Sequence, residues 1–423
     1  MSEKWYKLDN AAKIFPALSA DDGSNYFRLC AVLKEEVKPE ILKEALSTAL
    51  TRFPMFSVKL KQGIFWYYFE QNDKQPLIRK ETSLMFDSVN TDEHHKFMFC
   101  LEYNGKRVSL EMYHALTDGT GGMEFFKTIL YYYLLLNHQE IENDGSIITK
   151  EYEKLTDEGQ DSFVYNYDKL KKNIKKEPLA YKIKGTPYMG NWVGITHAYM
   201  NVDEVKTLAH TKGATITEYL GSVLLYIIYE RYQDHKKRPI TLFTPVNARK
   251  YFDSSSLRNF MLYIRTQLPM DNNQTYTFDD IINIVKTNFS SSLTKEHLTA
   301  RLVSNVKIEK NIFIRILPLF IKKIALKLSY KAYGSDLSTF SFSNLGVIKV
   351  PKDIYNYVDN MYFMLGTNTS GPINLAASTF NNTLTLTFSS RIIERQIQKE
   401  FIRFLSNQGL SITIQTNDLE VEA

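Results

Sequence analysis

An α+β fold arranged as two lobes is what this sequence predicts, and three observations predict it. Period-2 alternation and helical stripes of period 3.6 both run the length of the chain. They do not alternate as regular strand–helix–strand units, and no internal repeat is detectable. At 423 residues and 44% hydrophobic content, the chain exceeds one typical domain and can bury two cores. Between 137 and 187 the composition turns polar, with Glu140, Glu142, Asp144 and the basic run Lys169, Lys171, Lys172, Lys175 and Lys176. That stretch reads as a solvated crossover, so the expected lobes are 1–185 and 186–423.

Near the N-terminus, Leu42, Ala45, Leu46, Ala49, Leu50 and Phe53 mark an amphipathic helix ending at Arg52-Phe53-Pro54. Gln62 to Glu70 is a hairpin-like strand. Val108, Leu110 and Met112 alternate with Ser109, Glu111 and Tyr113, the signature of a strand, and Phe126, Ile129, Leu130, Tyr133 and Leu134 then recur at helical spacing. The second lobe opens with a strand over Trp192 to Val202 and a short helix from about Asp203. Thr215 and Glu218 have capping-box spacing and announce a helix with the stripe Leu220, Val223, Leu224, Ile227 and Ile228. A strand at Ile240 to Thr244, a helix from about Phe278 to Leu293, and strands around Phe340 and Leu384 come next. A last helix carries Ile397, Phe401, Phe404 and Leu405, and a strand at Ile412 and Ile414 closes the chain. The 27 Tyr and 26 Phe, many in strand-like runs such as Phe65 to Phe69 and Tyr362 to Met364, fit β-rich core packing.

One joint between elements stands apart. Met112-Tyr113-His114-Ala115-Leu116-Thr117-Asp118-Gly119-Thr120-Gly121-Gly122 puts a histidine at a strand end, an aspartate four residues on, and glycines at a helix entry. Rigid elements on both sides would hold the imidazole in place, as a general base requires. A lone histidine at a strand end is more often structural, so the surrounding sequence has to decide. The glycines lack the strand–Gly-rich–Lys-Ser/Thr context of a phosphate loop and read as backbone clearance.

His-x-x-x-Asp-Gly resembles the active-site motif of the CoA-dependent acyltransferase superfamily, which includes chloramphenicol acetyltransferase, wax ester synthases and peptide-synthetase condensation domains. Other segments agree in order. Trp5-Tyr6-Lys7-Leu8-Asp9-Asn10-Ala11-Ala12-Lys13-Ile14-Phe15-Pro16 is similar to the opening of the alcohol acetyltransferase-like branch. Thr244-Pro245-Val246-Asn247-Ala248-Arg249 with Arg258-Asn259-Phe260 resembles the family's Pro-Val-Asn-x-Arg segment and the residues beyond it. Phe340-Ser341-Phe342-Ser343-Asn344-Leu345-Gly346 resembles its Ser-Asn-x-Gly strand end. The similarity runs from Trp5 to about Ile414. Condensation domains usually carry two consecutive histidines, and Tyr113 stands at the first position here. This departure argues against peptide-bond condensation and leaves acyl transfer untouched.

The resemblance implies two chloramphenicol acetyltransferase-like lobes, each a mixed sheet with flanking helices, meeting at a central tunnel with His114 midway. It implies that His114 is the general base, taking the proton of an alcohol or amine as that group attacks a thioester. Ser343 and Asn344 are the favoured donors to the oxyanion, with Ser341 nearby. Asp118 would point away from substrate and pair bidentately with Arg249, a structural role shared by Gly119. The co-substrate would be acyl-CoA, acetyl-CoA above all, and the acceptor a small or lipid-like alcohol or amine. Two alternatives stay open: a stand-alone condensation-like enzyme fed by an acyl carrier protein, and a non-catalytic binding module on the same fold. CoA-contacting residues are not identifiable.

Net charge is +5, from 52 basic and 47 acidic residues, too mild to indicate nucleic acid. Cys30 and Cys100 cannot build a disulfide framework, and neither they nor His94, His95, His197, His210 and His297 have metal-ligand spacing, so no metal is expected. The opening residues carry no signal-peptide apolar stretch and no apolar run reaches about 18 residues. A cytoplasmic location is expected. Residues 312–331 mix Ile312, Phe313, Ile316, Leu317, Leu319, Phe320, Ile324 and Leu328 with Arg315, Lys322, Lys323, Lys327 and Lys331, around a helix-breaking Pro318. Packing of this basic amphipathic segment on its lobe is the ordinary outcome, and peripheral membrane contact is the alternative.

Overall fold

The computed structural model describes residues 5–18, 25–82, 85–86, 92–138, 141–153, 155–169, 177–232, 238–270, 274–333, 335–368 and 371–417. Glu140, Lys171, Lys172, Lys175 and Lys176 of the expected crossover lie outside them, as do the side chains of Leu328 and Lys331.

Alternation in the strand Arg107–Tyr113 sends Val108, Leu110 and Met112 into a buried core. That strand is central in a five-stranded sheet ordered Val358–Leu365, Tyr26–Leu33, Arg107–Tyr113, Phe99–Asn104 and Ile78–Lys80. All pairs are antiparallel except the last, which is parallel. The helices Pro39–Arg52 and Gly119–His138 pack on one face. The second of these buries residues all around its circumference, including Phe125, Phe126, Ile129, Leu130, Tyr133 and Leu134, as an internal helix does.

The sheet's other face holds charge, which the alternation did not foretell. Ser109 and Glu111 are as buried as the apolar residues between them. Arg28, fully buried, donates to Glu111 at 2.6 and 3.0 Å, lies 2.9 Å from Glu102, and pairs with Glu81. Arg79 and Arg107 complete the balance at 2.7 Å from Glu102 and Glu81. Three guanidinium groups facing three carboxylates let a polar face be buried.

A seven-stranded sheet forms the second layer system, ordered Met261–Leu268, Ile240–Asn247, Phe340–Val347, Ile373–Phe380, Thr383–Ser390, Gly194–Asn201 and Thr413–Thr416. Phe340–Val347 runs parallel to both neighbours and the other pairs are antiparallel, so this sheet is mixed. Helices Ile216–Arg231, Phe278–Ser292, Lys295–Lys310 and Gln396–Asn407 supply its core. The Thr215–Glu218 capping box is formed, with reciprocal bonds of 2.7 and 3.2 Å. The strand Val358–Leu365 lies beyond the expected boundary near 185 yet pairs with Tyr26–Leu33, so the C-terminal part of the chain contributes to both sheets.

The span 137–187 is largely irregular, with one short helix at Ser162–Tyr165, but a purely solvated crossover is not what forms. Ile147 and Phe163 are buried, and Glu158 receives Arg52 in a buried two-point pair at 2.6 and 2.8 Å. Gln62 to Glu70 spans the turn and parts of two paired arms, Val58–Gln62 and Tyr67–Gln71, and the second arm also pairs with Trp5–Lys7 in a small third sheet. Residues 312–331 form the helix Ile312–Ile316 and a second, Leu319–Tyr333, separated at Leu317-Pro318. No helix among the described residues is long and apolar enough to cross a membrane.

Candidate active site

His114 comes directly after the last residue of Arg107–Tyr113, and its backbone N–H donates to the Asn25 carbonyl at 2.8 Å. A few residues later the long helix begins at Gly119. The turn between them is locked against the segment 256–260, which lies just beyond the strand Ile240–Asn247 of the other sheet. Thr117 Oγ1 donates to the Leu257 carbonyl at 2.6 Å. Gly121 accounts for the closeness of this approach: a Cβ there would lie 2.1 Å from the Leu257 carbonyl oxygen and 2.3 Å from Thr117 Oγ1.

Asp118 divides its two oxygens between the lobes. Oδ1 accepts from the backbone N–H groups of Thr120 and Gly121 at 3.1 and 3.0 Å, capping the helix start. Oδ2 accepts from Arg249 Nη1 and from the Phe260 N–H, both at 2.8 Å. The expected bidentate fork is therefore a single contact. Its second oxygen is taken by the helix, and the Arg249 guanidinium also donates to the carbonyls of Ser256 and Arg258. Burial raises the Asp118 pKa, but Arg249 and the hydrogen bonds from Arg249, Phe260 and Gly121 outweigh it, leaving the carboxyl below its ordinary value.

The imidazole has a partner that sequence reasoning did not single out. His114 Nδ1 lies 3.0 Å from Asn259 Oδ1, and Asn259 Nδ2 donates to Asp9 Oδ2 at 3.3 Å. Asp9 and Asn259 are fully buried, and the other Asp9 oxygen accepts the Ala12 N–H at 2.7 Å. Burial holds the Asp9 pKa above its ordinary value, and Arg258, whose Nε lies 3.8 Å away, offsets this only in part. An ionised Asp9 only accepts, so the Asn259 amino group faces it. The amide oxygen then faces His114, so Nδ1 carries the proton and Nε2 the lone pair. Asn259 lies inside the Arg258-Asn259-Phe260 resemblance and Asp9 inside the opening motif, yet nothing in either segment says that they meet.

Phe15 stacks on the His114 ring at 4.8 Å between centroids, and Phe27 meets it edge-on at 5.2 Å. The residue as a whole is half-buried. Burial pushes its pKa below 6.5, and Asp118 and Asn259 offset this only in part. A neutral imidazole at pH 7 with a free Nε2 can accept a proton.

The strand Phe340–Val347 brings its end to the same place, for Leu345 Cδ2 would sit 3.2 Å from a Cβ on Gly119. Asn344 is committed there: Nδ2 donates to Thr217 Oγ1 at 2.9 Å and Oδ1 accepts the Gly346 N–H at 2.8 Å. Ser341 and Ser343 are partly buried on this strand, and the Ser343 hydroxyl makes no hydrogen bond to another described residue. The structure thus gathers His114, Asp118, Gly119 and Arg249 closely, with Ser343 and Asn344 on an adjoining strand. Of the other histidines, His197 is bonded to Thr387 at 2.9 Å and pushed down to about 4 by burial, and His94 is buried against Arg79.

No protein-family model matches this sequence, and no curated protein matches it in sequence. Solved structures do match. Polyketide synthase associated protein 5 from Mycobacterium tuberculosis aligns with a TM-score of 0.63 at 11% identity, over 94% of this chain and 96% of that one. A variant starter condensation domain of rhizomide synthetase RzmA, in complex with C8-CoA, aligns at 0.61 and 11%, over 96% and 94%. TRI3 trichothecene 15-O-acetyltransferase from Fusarium sporotrichioides aligns at 0.59 and 10%, over 95% of each chain. The chain has the two-lobed α+β, condensation-like fold of these proteins.

Proposed function

We propose that this protein is an acyltransferase moving an acyl group, acetyl above all, from acyl-CoA to the hydroxyl or amine of a small or lipid-like acceptor. The observation that carries the reading is the 3.0 Å contact of His114 Nδ1 with Asn259 Oδ1. With Asn259 accepting Nδ1–H, the lone pair is on Nε2 of a ring flanked by two aromatic side chains. The alcohol acetyltransferase-like branch rests on the similarity of the Trp5–Pro16 segment.

In this reading Nε2 takes the acceptor's proton as its oxygen or nitrogen bonds to the thioester carbonyl carbon. When the carbon–sulfur bond breaks, the imidazolium returns the proton to the departing thiolate. A positioned base of this kind contributes roughly 10²- to 10⁴-fold. The thioester is already activated, so no covalent intermediate on the protein is required. Ser343, whose hydroxyl bonds to no other described residue, is the proposed donor to the carbonyl oxygen as it gains charge, and losing a well-aimed donor costs about 10²- to 10³-fold. Asn344 keeps a proposed place through the turn it fixes, because its amide is already bonded to Thr217 and Gly346. Asp118, Gly119 and Arg249 keep the turn and the two sheets in register.

The test is release of free thiol from acetyl-CoA with a panel of alcohols and amines. The wild type should turn over, and His114→Ala should fold normally and lose activity by roughly 10²- to 10⁴-fold. Retention of most activity by His114→Ala would refute the mechanism. Turnover only with an acyl-loaded carrier protein would move the donor to that thioester. Absence of turnover with every donor would leave a binding module.

A further inference from the structure

Within residues 312–327 Leu319 is buried, but most of the other large apolar side chains face away from the lobe. Phe313 is 74% exposed, Phe320 68% and Ile324 63%, with Ile316 beside them. Spacings of three and four residues put these side chains on one face of each helix. The tip of the Val58–Gln62/Tyr67–Gln71 hairpin extends this surface with exposed Ile64 and Phe65. It is tied on by the Leu319 N–H to the Ile64 carbonyl and by Lys322 Nζ to the Phe65 carbonyl, each at 2.9 Å. Lys322 is itself buried, so its ammonium braces the patch from within and is not part of the charged surface.

The surroundings of this patch are strongly one-signed. Between 301 and 331 there are eight Lys and Arg residues, of which Arg301 and Lys322 are buried, against the single acid Glu309, and Glu309 is occupied by Lys13 and Asn10. Lys307, Lys310, Arg315 and Lys327 are exposed. A second copy of the chain docked face to face would set these bases against their own counterparts. An anionic surface with an apolar interior satisfies both the charge and the exposed phenylalanines.

We propose that the outward face of 312–327, with Ile64 and Phe65, docks on an anionic phospholipid surface. The helix Leu319–Tyr333 packs on the short helix Phe15–Leu18, and Phe15 is the ring stacked on His114. The docking face therefore lies one helix layer from the imidazole, an arrangement suited to an acceptor that partitions into lipid. The docking itself does not depend on the transfer chemistry, and it is measured without any acyl donor.

The experiment is cosedimentation with vesicles containing phosphatidylserine and with pure phosphatidylcholine vesicles, alongside sedimentation velocity without lipid. The wild type should bind the anionic vesicles preferentially, and salt should weaken the binding. Phe313→Ser with Phe320→Ser should lose at least about 10-fold in binding. Arg315→Gln with Lys327→Gln should lose about 25-fold, near 5-fold for each base. All four positions are exposed, so folded variants are expected, with circular dichroism as the check. Equal binding to both vesicle types, or variants that bind like the wild type, would overturn the proposal. So would a wild-type dimer that Phe313→Ser abolishes. Thiol release with a water-soluble acceptor should be unchanged in these variants, which separates a failed docking surface from a failed transferase.

Discussion

Asn259→Ala attacks the bond that sets the state of the base while leaving His114 in place. The wild-type amide accepts Nδ1–H at 3.0 Å and donates to Asp9 at 3.3 Å. Removing it frees the imidazole to rotate or to move its proton to Nε2, where it can no longer act as a base. A hydrogen bond of this type contributes about 0.5–1.5 kcal/mol, so the reactive orientation should become roughly 2- to 13-fold rarer. The pKa changes too. The Asn259 bond raises the pKa of His114 against the lowering by burial. Its loss moves the pKa further down, and the acid limb of kcat/KM against pH should shift to lower pH. Buried Asp9 loses one donor, which costs about 1–3 kcal/mol of stability, so the assay belongs well below the variant's Tm. The measurement is thiol release over a pH series, with kcat and KM for the acyl donor resolved. The expected result is reduced kcat, unchanged KM and an acid-shifted limb. A variant with wild-type kcat, or a limb displaced to higher pH, would refute the idea that Asn259 sets the tautomer.

The same geometry predicts the outcome of further substitutions at three positions. Asp118→Ala should lower stability by about 3–5 kcal/mol, because the Arg249 charge, inside the structure, loses its partner; urea denaturation reads this. The Asp118 pKa is depressed, so its stabilisation is full above the unfolded value near 3.9 and fades as pH falls toward the lower folded value, a dependence that Asp118→Asn should lack. Gly121→Ala should displace the backbone at Leu257 and with it Asn259, costing about 1–3 kcal/mol, and its kcat should fall further than the same loss of stability produces when placed elsewhere. Arg28→Met should strand Glu111, while Glu81 and Glu102 keep Arg107 and Arg79, and cost about 3–5 kcal/mol; the deficit should shrink as pH is lowered, since burial already raises the Glu111 pKa.

Local patterns were legible where one face of an element meets one environment. The stripe Leu220, Val223, Leu224, Ile227 and Ile228 and its capping box became the helix Ile216–Arg231. Ile397, Phe401 and Leu405 became the buried side of Gln396–Asn407. Patterns failed where the partner is distant in sequence. The polar face of Arg107–Tyr113 looked like any half-exposed strand, because the neutralising Arg28 and Glu81 come from other segments. Residues 312–327 carried the amphipathic signal of a packed helix, and only coordinates reveal that the apolar face looks outward.

The sequence by itself determined the α+β class, the strand-to-helix joint that holds His114, and the glycine clearance behind it, since each is written in contiguous residues. The tertiary structure alone decided what touches the imidazole. Asp9 and Asn259 are 250 residues apart, and their meeting depends on how two sheets are brought together, which no short-range periodicity encodes. It also decided that Asp118 gives one oxygen to its own helix and the other to Arg249 and Phe260, because a carboxylate has two ends and the fold filled them from opposite sides.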